Sequence, residues 1–445
     1  MKTEAMEVKD AASRCLVGAE PRDVPPGYKH TDAGVIPISW EAPPIARVVR
    51  NIIDFRGRTP RKLGMEWGGG DIPALSARNV RMGFLDLNEE TYYGSVALYE
   101  RWMTNGEPQK GDVAFTTEAP LGNVAVIPDD RRYILSQRTI LLQPEKDAVT
   151  GPFLFHILSS DAFQRELREN ATGSTASGIQ RRRFERIQIP LPPIPEQRVI
   201  AEALSDVDGL LAALEALIAK KRAIEQAAMQ RLLGSKTRLP GFSGERKTTR
   251  LGELVQLSKV SVNPSITPDV VYTHFSLPAF DTNETPVVEA GALIGSNKYV
   301  VPPNSVLLSK LNPRIPRIWA PRDIPSNSVC STEFLVLRPM AVDRNFLRYV
   351  CLSPGVCSQM ELHAIGTTGS HQRIHPNQAL AIEVVVPTDP AEQVAIATVL
   401  SDMNAEIAAL AARRDKTRAI KQGMMQQLLT GRVRLVKRTP AEVSA

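Results

Sequence analysis

The chain has 445 residues, of which 43% are apolar and 23% charged, and its formal net charge at pH 7 is +6. This composition is typical of a folded globular protein and excludes a collagen-like array or long low-complexity disorder. The length predicts two or more domains, and the positive charge favours an acidic partner such as nucleic acid without establishing one.

The N-terminus and the cysteines indicate the expected compartment. The opening MKTEAMEVKD has no apolar signal-peptide core, and no stretch approaches the roughly 18 consecutive apolar residues of a membrane helix. The four cysteines form no Cys-x-x-Cys pair, which argues against a disulfide framework. A cytoplasmic protein is therefore expected.

The first half of the chain contains about 150 residues of short β-branched runs with many Pro and Gly residues. Strands are predicted at 113–117, 123–128 and 139–144, followed by a helix at 151–170. The polar loop Thr172-Gly173-Ser174 comes next, and the run ERIQIPLP predicts a final strand.

A long helix is predicted over 195–233. It begins after the proline-rich PLPPIP, carries Glu196 in its first turn and ends at Gly234, a typical helix C-cap. Apolar residues follow the 3/4 spacing of one helical stripe. They are Ile200, Leu204, Val207, Leu211, Leu214, Ile218 and Leu232.

The second half of the chain repeats this order of elements. Strands are predicted at 305–311, 317–321 and 333–339, and a helix at 344–363. The loop Thr368-Gly369-Ser370 has the same three letters as the first loop, and AIEVVVP predicts the final strand.

A second long helix, predicted over 391–429, is a copy of the first. From Glu196 and Glu392 onward the two align without a gap at an offset of 196, with about 20 of 38 positions identical. Its apolar stripe is Ile396, Leu400, Met403, Ile407, Leu410, Ile420, Met424 and Leu428. Helices of roughly 55 Å, at about 1.5 Å per residue, are too long for one compact domain and should pack on each other.

The predicted fold class is therefore α/β (α+β). Two similar mixed α/β domains are separated by a pair of long antiparallel coiled-coil helices, with pseudo-twofold internal symmetry. The predicted segments are an N-terminal extension 1–36, a first domain 37–190, a central helix 191–237, a second domain 238–386, a C-terminal helix 387–433 and a tail 434–445.

Several motifs resemble the specificity subunits of type I restriction-modification systems. They are the lead-in GYKHTDAGVIPISWE, the TGS loop before P-L-P-P-x-P-E-Q, the SD helix and the ending R-A-I-x-Q-x-x-M-Q-x-L-L. The resemblance covers about residues 27 to 435. It implies that the two domains are target-recognition domains that each read one half of a bipartite DNA site, and that the helices set the spacer between the halves.

The resemblance also implies the partners. Methyltransferase subunits, normally two, would dock on the helices, and a restriction subunit would supply translocation and cleavage. The apolar residues expected to serve helix pairing and docking are Ile200, Leu204, Val207, Leu211, Leu214, Ile396, Leu400, Met403, Ile407 and Leu410. S-adenosylmethionine, ATP and Mg would be bound by the partners, and no cofactor by this chain.

Candidate DNA contacts are polar and basic residues in the loops of each domain, because such side chains reach base edges and phosphates. The alternative for each is a solvated loop or a contact with a partner subunit. In the first domain they are Ser174, Thr175, Gln180, Arg181, Arg182 and Arg183; in the second they are Lys310, Asn312, Arg314, Arg317, Ser370, His371, Gln372 and Arg373.

Catalytic functions find no support in the sequence. Asn312-Pro313 and Asn263-Pro264 lack the second proline and the aromatic residue of an amino-methyltransferase motif. The stretch beginning at Gly234 lacks phosphate-loop spacing, and no convincing metal-ligand spacing occurs. A non-catalytic recognition subunit is expected; the alternatives are an assembly protein that binds no DNA and an orphan specificity subunit without active partners.

Overall fold

The computed structural model describes residues 24–173, 177–234, 237–366 and 371–436. The chain divides into two compact units: unit 1 comprises 1–213 and 414–445, and unit 2 comprises 214–413. Both divisions fall inside a long helix, so each long helix contributes to both units. The six segment boundaries drawn from the sequence stay a prediction.

Unit 1 is a mixed α/β structure. Its strands are β1 Tyr28–Thr31, β2 Gly34–Pro37, β3 Val49–Asp54, β4 Ile72–Leu75, β5 Val80–Arg81, β6 Phe84–Leu85, β7 Tyr93–Gly94, β8 Val113–Thr117, β9 Leu121–Val126, β10 Ile134–Leu135 and β11 Thr139–Pro144. Its helices are α1 Ile45–Val48, α2 Val96–Trp102, α3 Gly151–Ser159, α4 Asp161–Glu169, α5 Arg181–Phe184 and the first part of α6 Ile194–Leu233.

A four-stranded antiparallel sheet in the order β3-β11-β8-β9 forms the centre of unit 1. Successive side chains of a strand point to opposite faces. Accordingly, Ile140 and Leu142 of β11 pack with α3 and α4 on one face, while Leu141 packs with α2 on the other. Both faces are covered, which explains why these strands read as continuous apolar runs rather than as alternating ones.

The helix predicted over 151–170 is wrong as a single element, because Ser160 divides it. Its backbone is extended, with ψ 147°, and its hydroxyl accepts a hydrogen bond from Phe163 N, so that it caps α4. In unit 2, Ser353 divides the segment predicted over 344–363 in the same way, capping from Val356 N. A serine inside an apolar helical pattern thus starts a new helix in both units.

The strand predicted from ERIQIPLP is also wrong. The segment begins at the end of α5 and then makes only two isolated bridges, Pro44 with Gln188 and Glu41 with Leu191. Pro190 and Pro192 lack the N–H donors that a continuous ladder needs.

Unit 2 contains the matching elements. Its strands are β12 Arg246–Arg250, β13 Val255–Ser258, β14 Ser261–Val262, β15 Val271–Phe275, β16 Val287–Ala290, β17 Lys298–Val300, β18 Val306–Ser309, β19 Ile318–Trp319, β20 Ser328–Ser331, β21 Phe334–Pro339 and β22 Glu383–Pro387. Its helices are α7 Leu251–Leu254, α8 Leu277–Asn283, α9 Arg344–Leu352, α10 Pro354–Leu362, α11 Pro376–Ala381 and the first part of α12 Pro390–Leu428.

The central sheet of unit 2, β13-β21-β18-β19, repeats the strand order of the unit 1 sheet. The second sheets differ. Unit 1 has the three strands β10-β4-β7, whereas unit 2 has the five strands β14-β17-β20-β15-β16. The final strand predicted from AIEVVVP is confirmed as β22, which pairs with β12.

Within each unit the two long helices pack in antiparallel fashion. In unit 1, Leu204 of α6 shares a core with Leu428 of α12, and Lys421 Nζ lies 2.6 Å from Asp208 Oδ1. In unit 2, Leu232 of α6 shares a core with Leu400 of α12. Together with the mixed sheets, this confirms the predicted fold class.

The segment after α12 contacts the lead-in within unit 1. The Tyr28 hydroxyl donates to Gly431 O at 2.9 Å. Gly431 has φ +68°, and a Cβ there would lie 2.4 Å from Pro37 Cγ. Glycine is needed here for conformation and for space alike.

The second long helix, Pro390–Leu428, has a mean hydropathy of 1.4 over one 18-residue window, high enough by composition to cross a membrane. The sequence-based expectation did not anticipate this. The ends of the helix lie in protein cores, with Ile396 and Leu400 buried in unit 2 and Leu428 in unit 1. That window is 22% buried within the described residues, and one such helix is weak evidence of a membrane span.

Candidate nucleic-acid interface

An open cleft of about 720 Å³ lies at the ends of β3 and β8 in unit 1. Polar side chains from four separate stretches of the chain converge on it. The lining residues are Asp54, Arg56, Thr117, Glu118, Thr172, Gly178, Ile179, Gln180 and Arg181.

Backbone hydrogen bonds fix the wall of this cleft. Ile179 N donates to Thr117 O at 3.0 Å, and Gly178 bridges to both Glu118 and Thr172. The loop that carries the predicted DNA contacts is therefore joined at its base to the end of β8. Ser174 and Thr175, two of those predicted contacts, lie outside the described residues.

An ion pair forms the floor of the cleft. Arg56 donates from Nε to Asp54 Oδ1 at 2.9 Å and from Nη2 to Asp54 Oδ2 at 2.6 Å. Burial by itself would raise the pKa of the Asp54 carboxyl, but the hydrogen bonds from Arg56 lower that pKa below its ordinary value. The same bond raises the pKa of Arg56, so the pair stays ionised across the neutral range.

The predicted basic run of unit 1 forms the one-turn helix α5 beside the cleft. Arg181 pairs with Glu185 at 2.7 Å, and Arg183 Nη1 donates to Asn170 O at 3.4 Å. Arg182 is exposed and makes no hydrogen bond or ion pair within the part of the chain that the structure describes. Gln180 is exposed at the start of the helix, where it could also reach a ligand.

The predicted basic residues of unit 2 differ in availability. Arg317 is held by two hydrogen bonds, of 2.6 and 2.8 Å, to Asp281, which makes it a structural ion pair. Arg373 pairs with Glu333 at 3.1 Å. Lys310 and Arg314 make no polar side-chain contact to other described residues, so their charges are open to a ligand.

Asn312 occupies a special position next to Lys310. Its φ is +47°, in the left-handed region where Asn is tolerated, and its N donates to Gln372 O at 2.7 Å. Its Oδ1 is buried without a hydrogen-bond partner among the described residues. His371 is exposed on the adjoining loop and has an interaction of its own, whereas Ser370 lies outside the described residues.

The first TGS triplet begins at a bridge that unit 2 also contains. Thr172 bridges Gly178 in unit 1, and the same bridge in unit 2 joins Ile365 to Arg373. Thr172 therefore corresponds to Ile365, and the second triplet, Thr368-Gly369-Ser370, lies outside the described residues.

The two predicted basic runs are not equivalent. The residues that begin the short helices are Gln180 in unit 1 and His375 in unit 2. Arg181–Arg183 thus correspond to Pro376, Asn377 and Gln378, which carry no charge.

Most of the helix residues expected to serve pairing and docking are used internally. Ile200, Leu204, Leu214, Ile396, Leu400 and Ile407 are buried within the structure. Val207, Leu211, Met403 and Leu410 are only half-buried. Leu204 and Leu400 share a core with the opposite long helix, and a docking role for any of these residues stays a prediction.

Sequence reasoning missed Asp54 and Arg56. They end the run NIIDFR, whose β-branched residues form β3, but β3 was not among the predicted strands. An Asp-x-Arg at the end of an apolar strand is the signal that could have identified them.

The comparisons with known proteins agree with one another. Residues 49–226 match the family model described as type I restriction modification DNA specificity domain. The specificity subunit of the type I restriction enzyme MjaIX from Methanocaldococcus jannaschii is 27% identical over 193 residues, covering 41% of each chain. The EcoKI specificity subunit from Escherichia coli is 26% identical over 196 residues, covering 44% of this chain and 41% of its own.

Solved structures match over a longer part of the chain. The S subunit of a type I restriction-modification system from M. genitalium has a TM-score of 0.56 at 13% identity, covering 90% of this chain and 97% of that one. A chain from a structure of a type I R-M system has a TM-score of 0.54 at 19% identity, covering 89% and 99%. These likenesses establish the fold. By sequence, the chain spans about half the length or less of the curated relatives it matches.

Proposed function

We propose that the chain is a non-catalytic specificity subunit of a type I restriction-modification system and that it reads an asymmetric bipartite DNA site for a methyltransferase and restriction complex. Each unit would contact one half-site, and the long helices would hold the halves at a fixed separation. S-adenosylmethionine, ATP and Mg would be bound by the partner subunits.

The observation that carries this proposal is that the two units repeat the same backbone arrangement but present different side chains where the loop meets the sheet. Both units have a four-stranded sheet in the same strand order. In each, a loop is joined to the end of the equivalent strand, β8 in unit 1 and β18 in unit 2. In unit 1 this place carries Asp54, Arg56 and Arg181; in unit 2 it carries Lys310 and Asn312. Similar scaffolds with different polar groups are suited to reading two different short sequences.

Basic side chains without an ion-pair partner among the described residues support DNA as the ligand. Arg182 in unit 1, and Lys310 and Arg314 in unit 2, lack internal partners in the described part of the chain. Such cations gain affinity from phosphates by releasing bound counterions.

The test is to co-express the chain with the methyltransferase subunit encoded beside it and to map modified adenines across a genome by single-molecule sequencing. We expect a split motif with two defined halves of different sequence and a fixed, undefined spacer. A stable complex that modifies nothing would favour the orphan specificity subunit. No complex and no DNA binding would favour the assembly protein and overturn the proposal.

A further inference from the structure

We propose that Arg56, held in place by Asp54, is a base-reading residue that recognises a guanine in the half-site contacted by unit 1. The inference rests on the proposed function and adds to it a residue and a base.

Part of the hydrogen-bonding fork of Arg56 has no partner among the described residues. Asp54 takes the Nε hydrogen and one Nη2 hydrogen of Arg56, and Thr117 Oγ1 accepts from Nη1 at 3.2 Å. A guanidinium has five N–H groups, so one remains on each terminal nitrogen. Two such donors match O6 and N7 of guanine in the major groove.

The guanidinium is also positioned in advance. The backbone N of Arg56 donates to Asp54 Oδ1 at 3.0 Å, so one carboxylate fixes both the main chain and the side chain. The Arg56 side chain lines the open cleft, and 28% of its surface is exposed to solvent. It is therefore rigid but accessible, and little conformational entropy is lost when a base binds.

The charge balance favours a base over a phosphate as the ligand. Each charged residue that lines the cleft has a partner of opposite charge: Asp54 pairs with Arg56, Glu118 with Arg138 at 3.4 Å and Arg181 with Glu185 at 2.7 Å. The cleft therefore exerts little net attraction on a phosphate. Directional hydrogen bonding to a neutral base edge is what remains available. Arg182 on the neighbouring α5 is exposed and has no ion pair among the described residues, so its charge suits a phosphate instead.

Unit 2 lacks this pair at the corresponding place. Leu142 lies opposite Ile52 in unit 1, and its counterpart Leu337 lies opposite Leu257 in unit 2. Counting two and four residues onward from Leu257, Asp54 corresponds to Lys259 and Arg56 to Ser261. A variant at Arg56 should therefore affect one half-site only.

The experiment uses the assembled complex with Arg56→Lys, which keeps the charge but loses the fork. We expect the mapped motif to become degenerate at one guanine of one half, with the other half unchanged. Binding to the mapped duplex should weaken about 10–100-fold with no change in its salt dependence. Arg182→Ala is the matched control: its motif should stay intact while its salt slope falls by about one.

Replacement of that guanine by 7-deazaguanine, which removes the N7 acceptor, separates base reading from a structural role. The wild-type complex should lose affinity on the modified duplex, whereas Arg56→Met, which has no hydrogen-bond donor, should bind the two duplexes equally. Asp54→Asn, which frees the guanidinium, should weaken discrimination at the same position. The inference is overturned if the motif of Arg56→Met is unchanged, or if the modified base weakens binding by wild type and by Arg56→Met equally. Either result leaves the proposed function intact, and absence of any wild-type motif instead removes the proposed function.

Discussion

Units 1 and 2 keep the same backbone hydrogen bonds while exchanging the side chains around them. Thr117 N donates to Arg138 O at 2.9 Å, and at the equivalent place Lys310 N donates to Glu333 O at 2.9 Å. Main-chain pairing therefore sets this frame and leaves the polar side chains free to diverge. Two different half-sites are compatible with one duplicated scaffold for that reason.

Side chains also differ between the two units inside their hydrophobic cores. His156 of α3 bonds Ser205 of α6 at 3.1 Å, and Tyr349 of α9 bonds Ser401 of α12 at 3.1 Å. The serines correspond at the helix offset of 196, and the two ring residues occupy the same position in matching helices. A hydroxyl–ring contact is thus kept, although the ring itself changes.

A difference in packing lies at Phe184, whose counterpart in unit 2 is Ala379. Both side chains are fully buried, but Phe184 packs on Phe115 with ring centroids 4.7 Å apart. We expect Phe184→Ala to lower the free energy of unfolding of unit 1 by about 3–5 kcal/mol, because it removes a large buried side chain and leaves a cavity. Urea unfolding in a Trp319→Phe background, where the remaining tryptophans all lie in unit 1, measures this.

The reciprocal change in unit 2 is Ala379→Phe. It should destabilise unit 2 by about 1–3 kcal/mol, because the site is already filled by its neighbours. A neutral result for Phe184→Ala would mean that α5 is not part of the cooperative core.

Much of the fold could be predicted because the signals were local. The long helices were placed to within one residue, and 113–117 and 139–144 match β8 and β11 in full. The helix pairs were missed because one serine decides where a helix restarts. The final strand of unit 1 was overpredicted because its prolines were not weighed against its apolar residues.

The candidate site was less predictable. Arg317 and Arg182 look alike in the sequence, yet Arg317 is paired with Asp281, whereas Arg182 has no ion pair among the described residues. Only tertiary contacts decide this. Asp54 lies far along the chain from Thr117, and their proximity follows from strand order rather than from any motif.

A second comparison concerns the buried glutamates that start the long helices. Glu196 accepts from Trp40 Nε1 at 3.0 Å and from Arg434 Nη2 at 2.8 Å. Glu392 accepts from Arg246 Nη2 at 2.7 Å, and Arg238 lies 3.8 Å away. Arg434 and Arg238 correspond at an offset of 196, so each long helix begins at a glutamate held by an arginine that follows a long helix.

We expect Arg246→Met to destabilise unit 2 by about 3 kcal/mol or more, because it leaves a fully buried carboxylate with one distant cation. Arg434→Met should cost less, since Trp40 still donates to Glu196. Chemical denaturation of both variants checks the order of the two effects. The double variant Arg246→Met with Glu392→Leu should recover most of the loss, and equal costs for the two arginines would contradict this account.

The exchange of His156 for Tyr349 predicts a difference in acid sensitivity. Burial lowers the pKa of His156 to about 4, and the nearby Lys421 adds to this while Asp208 opposes it. In the unfolded chain the same group has an ordinary pKa near 6.5. Because the folded pKa is the lower one, this group's contribution to stability is complete above pH 6.5 and is lost as the pH falls toward 4.

The size of this loss follows from the shift, which corresponds to about 3 kcal/mol at 1.36 kcal/mol per pKa unit. His156→Gln keeps a hydrogen-bonding group near Ser205 but cannot take up a proton. The free energy of unfolding of wild type should therefore fall more steeply than that of the variant between pH 6.5 and 4, with the two running parallel above pH 7. Tyr349→Phe in unit 2 is the matched control and should change stability by a similar amount at every pH in this range. If the stabilities of wild type and His156→Gln follow the same pH profile, the imidazole takes up its proton as readily in the folded protein as in the unfolded chain. The acid sensitivity of unit 1 then has another source.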